Sequence, residues 1–237
     1  MKTTIITTAD GSHSIYVEEL NEHYHSVHGA IQESKHVFIN AGFKHIASTL
    51  TDSTTQINIL EIGLGTGLNA ILTFSEAKKT DVIINYTAIE AYPIPIDLAN
   101  ELNYIELLNE QNNQSIFSAI HSCEWNKQNV LSDRFNFCKI KNTLQQFIFN
   151  DTYHLIYFDA FGPQVQPEMW TEDIFTKLYA ATKQNGCLVT YCAKGEVKRT
   201  LKKVGFSVES LQGPPGKREM VRAVCILFSF YLVTLFI

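Results

Sequence analysis

Residues 57 to 69 read Ile-Asn-Ile-Leu-Glu-Ile-Gly-Leu-Gly-Thr-Gly-Leu-Asn, and a stretch of this kind admits few structures. The apolar run reads as a buried strand, stops at Gly63-x-Gly65-x-Gly67, and gives way to the helical spacing of Leu68, Ile71, Leu72 and Phe74. Gly63 and Gly65 permit a sharp turn and let a ligand lie against bare main chain, while Gly67 lets the next helix pack close to the strand. The spacing is tighter than the Gly-x-Gly-x-x-Gly dinucleotide fingerprint, and an ordinary strand-turn-helix corner would use the same glycines. Other residues must decide between them.

A chain of 237 residues, 45% hydrophobic and 18% charged, is long enough for one substantial α/β domain with a real core. No tripartite leader opens it, so secretion is not expected. The five cysteines show no Cys-x-x-Cys pair and read as reduced core residues of a cytoplasmic protein. The net charge of -5 argues against wholesale coating of nucleic acid. From Lys194 to Arg222, however, eight basic residues face three acids, which leaves that segment at +5 and the remainder at -10. A basic end on an acidic body can meet phosphates locally; a solvated helix face would look the same.

Along the chain, residues 1–53 form an N-terminal extension, 54–230 the main domain and 231–237 an apolar tail. Ser14 to Val17 alternate as a strand, and Ile31 to Phe43 suit either a helix or a strand followed by a loop. His25 and His28 lack a companion Cys or carboxylate at ligand spacing, so no metal is expected; they suit a pocket wall or a structural role. Val82 to Ile89 is the next strand, with Glu90 at its tip, where a carboxylate can accept both hydroxyls of a ribose. Ile96 to Leu108 reads as a helix, and Ile116 to Arg134 as a long surface connection. Phe135 to Ile140 is a strand and Thr143 to Phe149 a short helix. His154 to Phe158 is a buried strand that delivers Asp159 to the carboxyl edge of the sheet. A helix (Trp170 to Ala181), a strand (Gly186 to Cys192) and a basic helix (Lys194 to Val204) follow. Phe206 to Leu211 and Val221 to Phe228 close the sheet as a reversed pair, which makes seven mostly parallel strands. Ala223 to Ile237 carries no charge but is shorter than the roughly 20 residues of a spanning helix, so a membrane anchor is disfavoured.

With these residues placed, the chain resembles the methyltransferase of the MnmC/MnmD family, over about Gly11 to Ala223. The marks are Tyr24-His25-Ser26 with Gly29 and Glu33-Ser34, then Val37-Phe38, then Glu61 to Asn69, and Glu90. The more specific ones are Phe158-Asp159-Ala160-Phe161-Gly162-Pro163 continuing through Pro167-Glu168-Met169-Trp170, and Gly216-Lys217-Arg218-Glu219-Met220. Where the family usually carries Gly-Asp, this chain has Lys141-Asn142, which puts the adenine contact in question.

The resemblance implies a Rossmann-like fold and transfer of a methyl group from S-adenosyl-L-methionine. The acceptor would be the amine of 5-aminomethyl(-2-thio)uridine at the wobble position of tRNA. It implies cofactor contacts from Glu61, Gly63, Gly65, Thr66, Gly67 and Asn69, with Glu90 on the ribose and Asn142 near adenine. Asp159 would orient the amine and take up its proton beside the cofactor, and Phe161 would stack on the uracil. Tyr24, Ser26 and Pro163 would shape the pocket mouth, and Lys217 and Arg218 would meet anticodon-loop phosphates. A separately encoded FAD-dependent oxidoreductase is the expected functional partner, because the chain resembles the stand-alone form. Rival readings are an aminopropyltransferase, which would usually show an acid where Leu64 and Thr66 stand, and a non-catalytic RNA-binding protein. The retained glycines with Glu61 and Glu90 oppose the latter.

Overall fold

The computed structural model describes residues 2–49 and 56–226. The strands β1 (Thr3–Thr7), β2 (His13–Val17) and β3 (Glu22–His23) form a small antiparallel sheet. A continuous helix over residues 30–49 follows, α-helical at α1 (Ala30–Ser34) and α2 (Lys44–Thr49) and π-helical between them, at Lys35–Phe43. At Gly42 it lies so close to the sheet that a Cβ would sit 3.1 Å from both Tyr157 and Val189. The helical alternative for Ile31 to Phe43 is therefore the one adopted.

The main sheet uses β4 (Gln56–Ile62), β5 (Ile83–Glu90), β6 (Gln128–Ser132), β7 (Phe135–Lys141), β8 (Tyr153–Phe158), β9 (Thr182–Thr190), β10 (Ser207–Gln212) and β11 (Glu219–Val224). Their order is β10-β11-β9-β8-β4-β5-β7-β6. The central five pair in parallel; β6, β10 and β11 run antiparallel to their neighbours. Between them come α3 (Leu68–Ala77), α4 (Ile96–Asn100), α5 (Tyr104–Leu107), α6 (Gln114–Ser122), α7 (Glu172–Ala180) and α8 (Gly195–Lys203). Both faces of the sheet are covered, so successive residues toward the ends of β4, β8 and β9 are buried whichever way they point. Ile57 and Ile59 pack with the 30–49 helix, α3 and α6; Leu60 and Ile62, of opposite parity, pack with α7 and α8.

The α/β architecture expected from the sequence is present, with an eighth strand. Residues 116–134, expected as a surface connection, supply most of α6 and the edge strand β6, whose Val130 is 73% exposed and so gives little hydrophobic pattern. The helix expected over Ile96 to Leu108 is two short ones, α4 and α5, and Thr143 to Phe149 is turn and loop rather than helix. The closing antiparallel pair is present, with its last strand over Glu219–Val224; residues 227 and 228 of the expected strand and the tail at 231–237 lie outside the described residues. Among the described residues no helix is long and apolar enough to cross a membrane.

One feature of the strand order positions the site. From β4 the chain moves to β5 on one side and later to β8 on the other, so the loops leaving β4 and β8 part at their carboxyl ends and open a crevice. Gly63 and Asp159 are the first residues past those two ends, and Asp159 N–H donates to the Ile62 carbonyl at 3.1 Å.

Candidate active site

A cleft of about 1010 Å³ opens at this point. Gly63, Asn69, Glu90, Asn142, Asp159 and Phe161 line it, together with Tyr24, Ser26, Gly65, Thr66, Pro163 and Lys217. Residues from both ends of the chain thus converge on one hollow. Glu61, Gly67 and Arg218 do not line it.

Glu61 lies behind the wall for a reason of parity. It shares the face of β4 with Ile57 and Ile59, under α3, and is fully buried. Asn69 Nδ2 in the first turn of α3 donates to its Oε1 at 3.0 Å, and the Tyr86 hydroxyl donates to its Oε2 at 2.9 Å. Burial holds its carboxyl well above the usual range. Glu61 thus stands behind Asn69, which lines the cleft. Asn69 carries that support forward, since the same Nδ2 also donates to Asp159 Oδ2 at 2.8 Å.

The glycines make room first for the protein's own atoms. A Cβ at Gly63 would stand 2.8 Å from the Asp159 carbonyl oxygen, and one at Gly65 would stand 2.9 Å from the Tyr24 ring. At Gly67, φ +73, the neighbour is the His121 ring at 2.8 Å, not the strand. Ligand approach explains only part of the glycine pattern. Thr66 turns its hydroxyl to His25 Nε2 at 2.8 Å, and its carbonyl meets His121 Nε2 at 3.2 Å. Burial brings both histidines down to about 4, so they stand neutral and brace the turn. Among the described residues no group of three or more His, Cys, Asp or Glu could hold a metal ion.

Glu90 holds the turn from the other side, its Oε2 accepting Gly65 N–H at 3.0 Å and its Oε1 accepting Tyr92 N–H at 2.7 Å. Each oxygen keeps further acceptor capacity toward the cleft. Asn142 sits beside it, its N–H on the Glu90 carbonyl at 3.2 Å. The Asn142 Oδ1 already accepts Thr143 N–H at 2.8 Å.

Asp159 lines the cleft just past the end of β8. Burial first, then the Glu33 carboxylate, pushes its carboxyl up to about 7, while Asn69 and Lys217 pull the other way. Phe161 follows on a braced loop: its N–H donates to Gln166 Oε1 at 3.1 Å and its carbonyl accepts Trp170 Nε1–H at 2.8 Å. The Trp of the Pro-x-Met-Trp run thus secures Phe161. The Phe161 ring meets Tyr24 edge-on, with centroids 5.2 Å apart.

Of the residues expected at the mouth, Lys217 is turned away from solvent, whereas Arg218 and Ser26 lie along the opening. Lys217 points into the wall, paired with Glu33 and with Nζ 3.9 Å from the Tyr191 ring centroid. Arg218 lines an adjoining depression of about 450 Å³ with Lys194. Ser26 gives its N–H to Glu33 Oε2 at 2.9 Å. Of the eight basic residues of the C-terminal segment, Lys198, Lys203, Lys217 and Arg222 hold carboxylates. Glu33 and Tyr191 are wall residues that sequence reasoning did not assign; Glu33 stood in a marked motif, whereas Tyr191 looked like any strand-end aromatic.

The cleft fits an S-adenosyl-L-methionine. Its volume is of the right order, and Asn69 Oδ1 is buried with no hydrogen-bond partner among the described residues, an acceptor left over beside two carboxylates. The sequence pattern of the S-adenosyl-L-methionine-dependent methyltransferase family matches residues 105–225, half of the chain. The chain belongs to that family. Among relatives of this methyltransferase, the tRNA 5-methylaminomethyl-2-thiouridine biosynthesis bifunctional protein MnmC of Delftia acidovorans is 28% identical over 220 residues, 88% of this chain and 33% of that protein. The protein of the same name from Campylobacter hominis is 24% identical over 214 residues, 88% of this chain and 31% of its own length. The methyltransferase described here thus spans about a third of these curated relatives. The crystal structure of MNMC2 from Aquifex aeolicus has the same fold, with a TM-score of 0.74 at 21% identity, covering 94% of this chain and 70% of that one. The MnmC likeness read from the motifs is borne out.

Proposed function

We propose that this methyltransferase methylates the primary amine of 5-aminomethyl(-2-thio)uridine at the wobble position of tRNA, in the cytoplasm. The observation that carries the reading is Asp159, a carboxylate at the switch-point crevice, held by Asn69 on one oxygen and followed by an aromatic ring on a braced loop. The names of the curated relatives support the substrate.

S-adenosyl-L-methionine, when bound, supplies an electrophilic methyl group. The chain's own work is to hold and to orient. Gly63, Gly65, Thr66 and Asn69 would hold the amino-acid part of the cofactor, Glu90 its ribose and Asn142 its adenine, while Glu61 and Gly67 support that wall from behind. Asp159 accepts an N–H of the incoming amine on Oδ1, turning the nitrogen lone pair toward the methyl carbon. The new N–C bond would replace the methyl–sulfur bond, leaving a neutral thioether, and the surplus proton on nitrogen would pass to that oxygen, a transfer suited to a group near 7. Phe161 stacks on the uracil, with Tyr24 and Pro163 shaping the mouth and Ser26 holding Glu33 in the wall. Arg218 and Lys194, rather than Lys217, contact anticodon-loop phosphates, which set register on the RNA. The functional partner is an FAD-dependent oxidoreductase that unmasks the amine.

The test is methyl transfer to tRNA taken from cells lacking this activity. Mass spectrometry of the wobble nucleosides should show the aminomethyl form gaining one methyl. No heat of cofactor binding by calorimetry, together with no labelled methyl on that tRNA, would overturn the proposal.

A further inference from the structure

Glu33 and Lys217 stand 184 residues apart in the chain and meet in the cleft wall. The pair is held by several neighbours. Glu33 is 6% exposed and its second oxygen takes the Ser26 N–H at 2.9 Å; Lys217 Nζ lies over the Tyr191 ring. Tyr191 in turn donates its hydroxyl to the carbonyl of Ala160, the residue after Asp159, at 2.9 Å. Glu33, Lys217, Tyr191 and Asp159 all line the same hollow.

Stability alone is a weak reason for such an arrangement, because removing two charges from water costs about as much as their attraction returns. An ammonium locked onto a buried carboxylate and a ring is also poorly disposed to reach an RNA phosphate. What the pair can do is act on its neighbour. Asp159 is faced by Glu33 from α1, Lys217 from the loop before β11, Glu61 from β4, Tyr86 from β5 and Tyr191 beyond β9, with the neutral Asn69 donating from α3. Within that set Lys217 is the one cation, and Glu33 is the carboxylate tied to it.

We propose that Glu33 and Lys217 are positioning residues that set the proton affinity of Asp159, acting on it with opposite sign from a fixed place on the cleft wall. The use of that setting rests on the methyl-transfer reading above: a carboxylate too acidic would not take the amine's proton, and one too basic would be blocked by its own. Burial is the largest of the influences on Asp159, Glu33 adds to its upward push, and Asn69 and Lys217 restrain it.

The experiment follows the Asp159 carboxyl carbon by NMR across pH, with Asp159→Asn identifying the signal, in the full chain without substrate. Glu33→Gln should lower the titration midpoint and Lys217→Met should raise it, each by roughly one pH unit. Lys217→Arg, which keeps the charge, should stay near the wild type. The double variant Glu33→Gln/Lys217→Met should return close to it, so if one single variant fails to fold, the other and the double still decide. The acid limb of kcat/KM for methyl transfer should move in the same order. Midpoints that do not move, or that move the same way in both single variants, would overturn the proposal. If wild-type protein transfers no methyl while the midpoints split as stated, the tuning stands and the substrate assignment falls.

Discussion

The wall of the cleft formed by Gly63 to Asn69 comes from consecutive residues at one strand end, whereas the wall formed by Tyr24, Glu33, Phe161, Tyr191 and Lys217 is drawn from well-separated segments. The first is braced by the neutral His25, His121 and Asn69 and by the Glu90 carboxylate on Gly65 N–H. The second is held by an ion pair, a ring beneath a cation and an edge-on aromatic contact. A site that binds a common cofactor needs one rigid cradle; a site that selects an acceptor needs a surface varied independently of it. Asp159 is the hinge of the comparison, tied to the glycine wall through Asn69 and faced by the charges of the other.

The largest effect should come from cutting that hinge. Asp159→Ala should lower kcat by roughly 10²- to 10⁴-fold while cofactor binding, measured by calorimetry, stays within a few-fold. Turnover close to wild type would remove Asp159 from the chemistry. Next comes the glycine wall: a Cβ at Gly63 meets backbone, which cannot yield, at a residue with φ +87. Gly63→Ala should therefore cost roughly 2–4 kcal/mol of stability in denaturant unfolding and weaken cofactor binding with it.

Asp159 also has a cost that pH exposes. Its carboxyl is raised from 3.8 to about 7, so the folded state loses stability as pH rises through that window, where the unfolded chain is ionised and the buried group resists ionisation. Asp159→Asn should be more stable than wild type at pH 8 by roughly 1–2 kcal/mol, since water in the cleft screens part of the penalty, and the difference should vanish by about pH 4. Equal denaturant midpoints at pH 8 would show that the site is wetter than its burial implies.

The smallest effect separates the walls most finely. At Gly65 the atom in the way is the side chain of Tyr24 rather than backbone, so Gly65→Ala should cost about 1 kcal/mol, mostly from φ +48. Adding Tyr24→Ala should recover part of the lost cofactor affinity. No recovery would mean that the strained turn, and not the ring above it, limits the site.

Legibility in the sequence followed the same division. The strand into Gly63-x-Gly65-x-Gly67, the acid at the tip of β5 and the acid past β8 were readable because periodicity and chain position are local properties, and all three meet at the crevice. For Glu61 the place near the strand end was evident, but which face it takes depends on what covers that face. The edge strand β6 escaped because a strand half in water needs little apolar pattern, and Lys217 was read as a phosphate contact because a lysine in a Gly-flanked loop normally points outward.

By itself the amino-acid sequence determined a parallel α/β sheet with a ligand crevice past its first strand, since apolar runs and side-chain-free turns act within a few residues. Only the tertiary structure decided which carboxylate faces the cleft, which one lies beneath it, and which cation stands beside Asp159. Those choices depend on burial and charge between segments up to 184 residues apart, and no local pattern carries them.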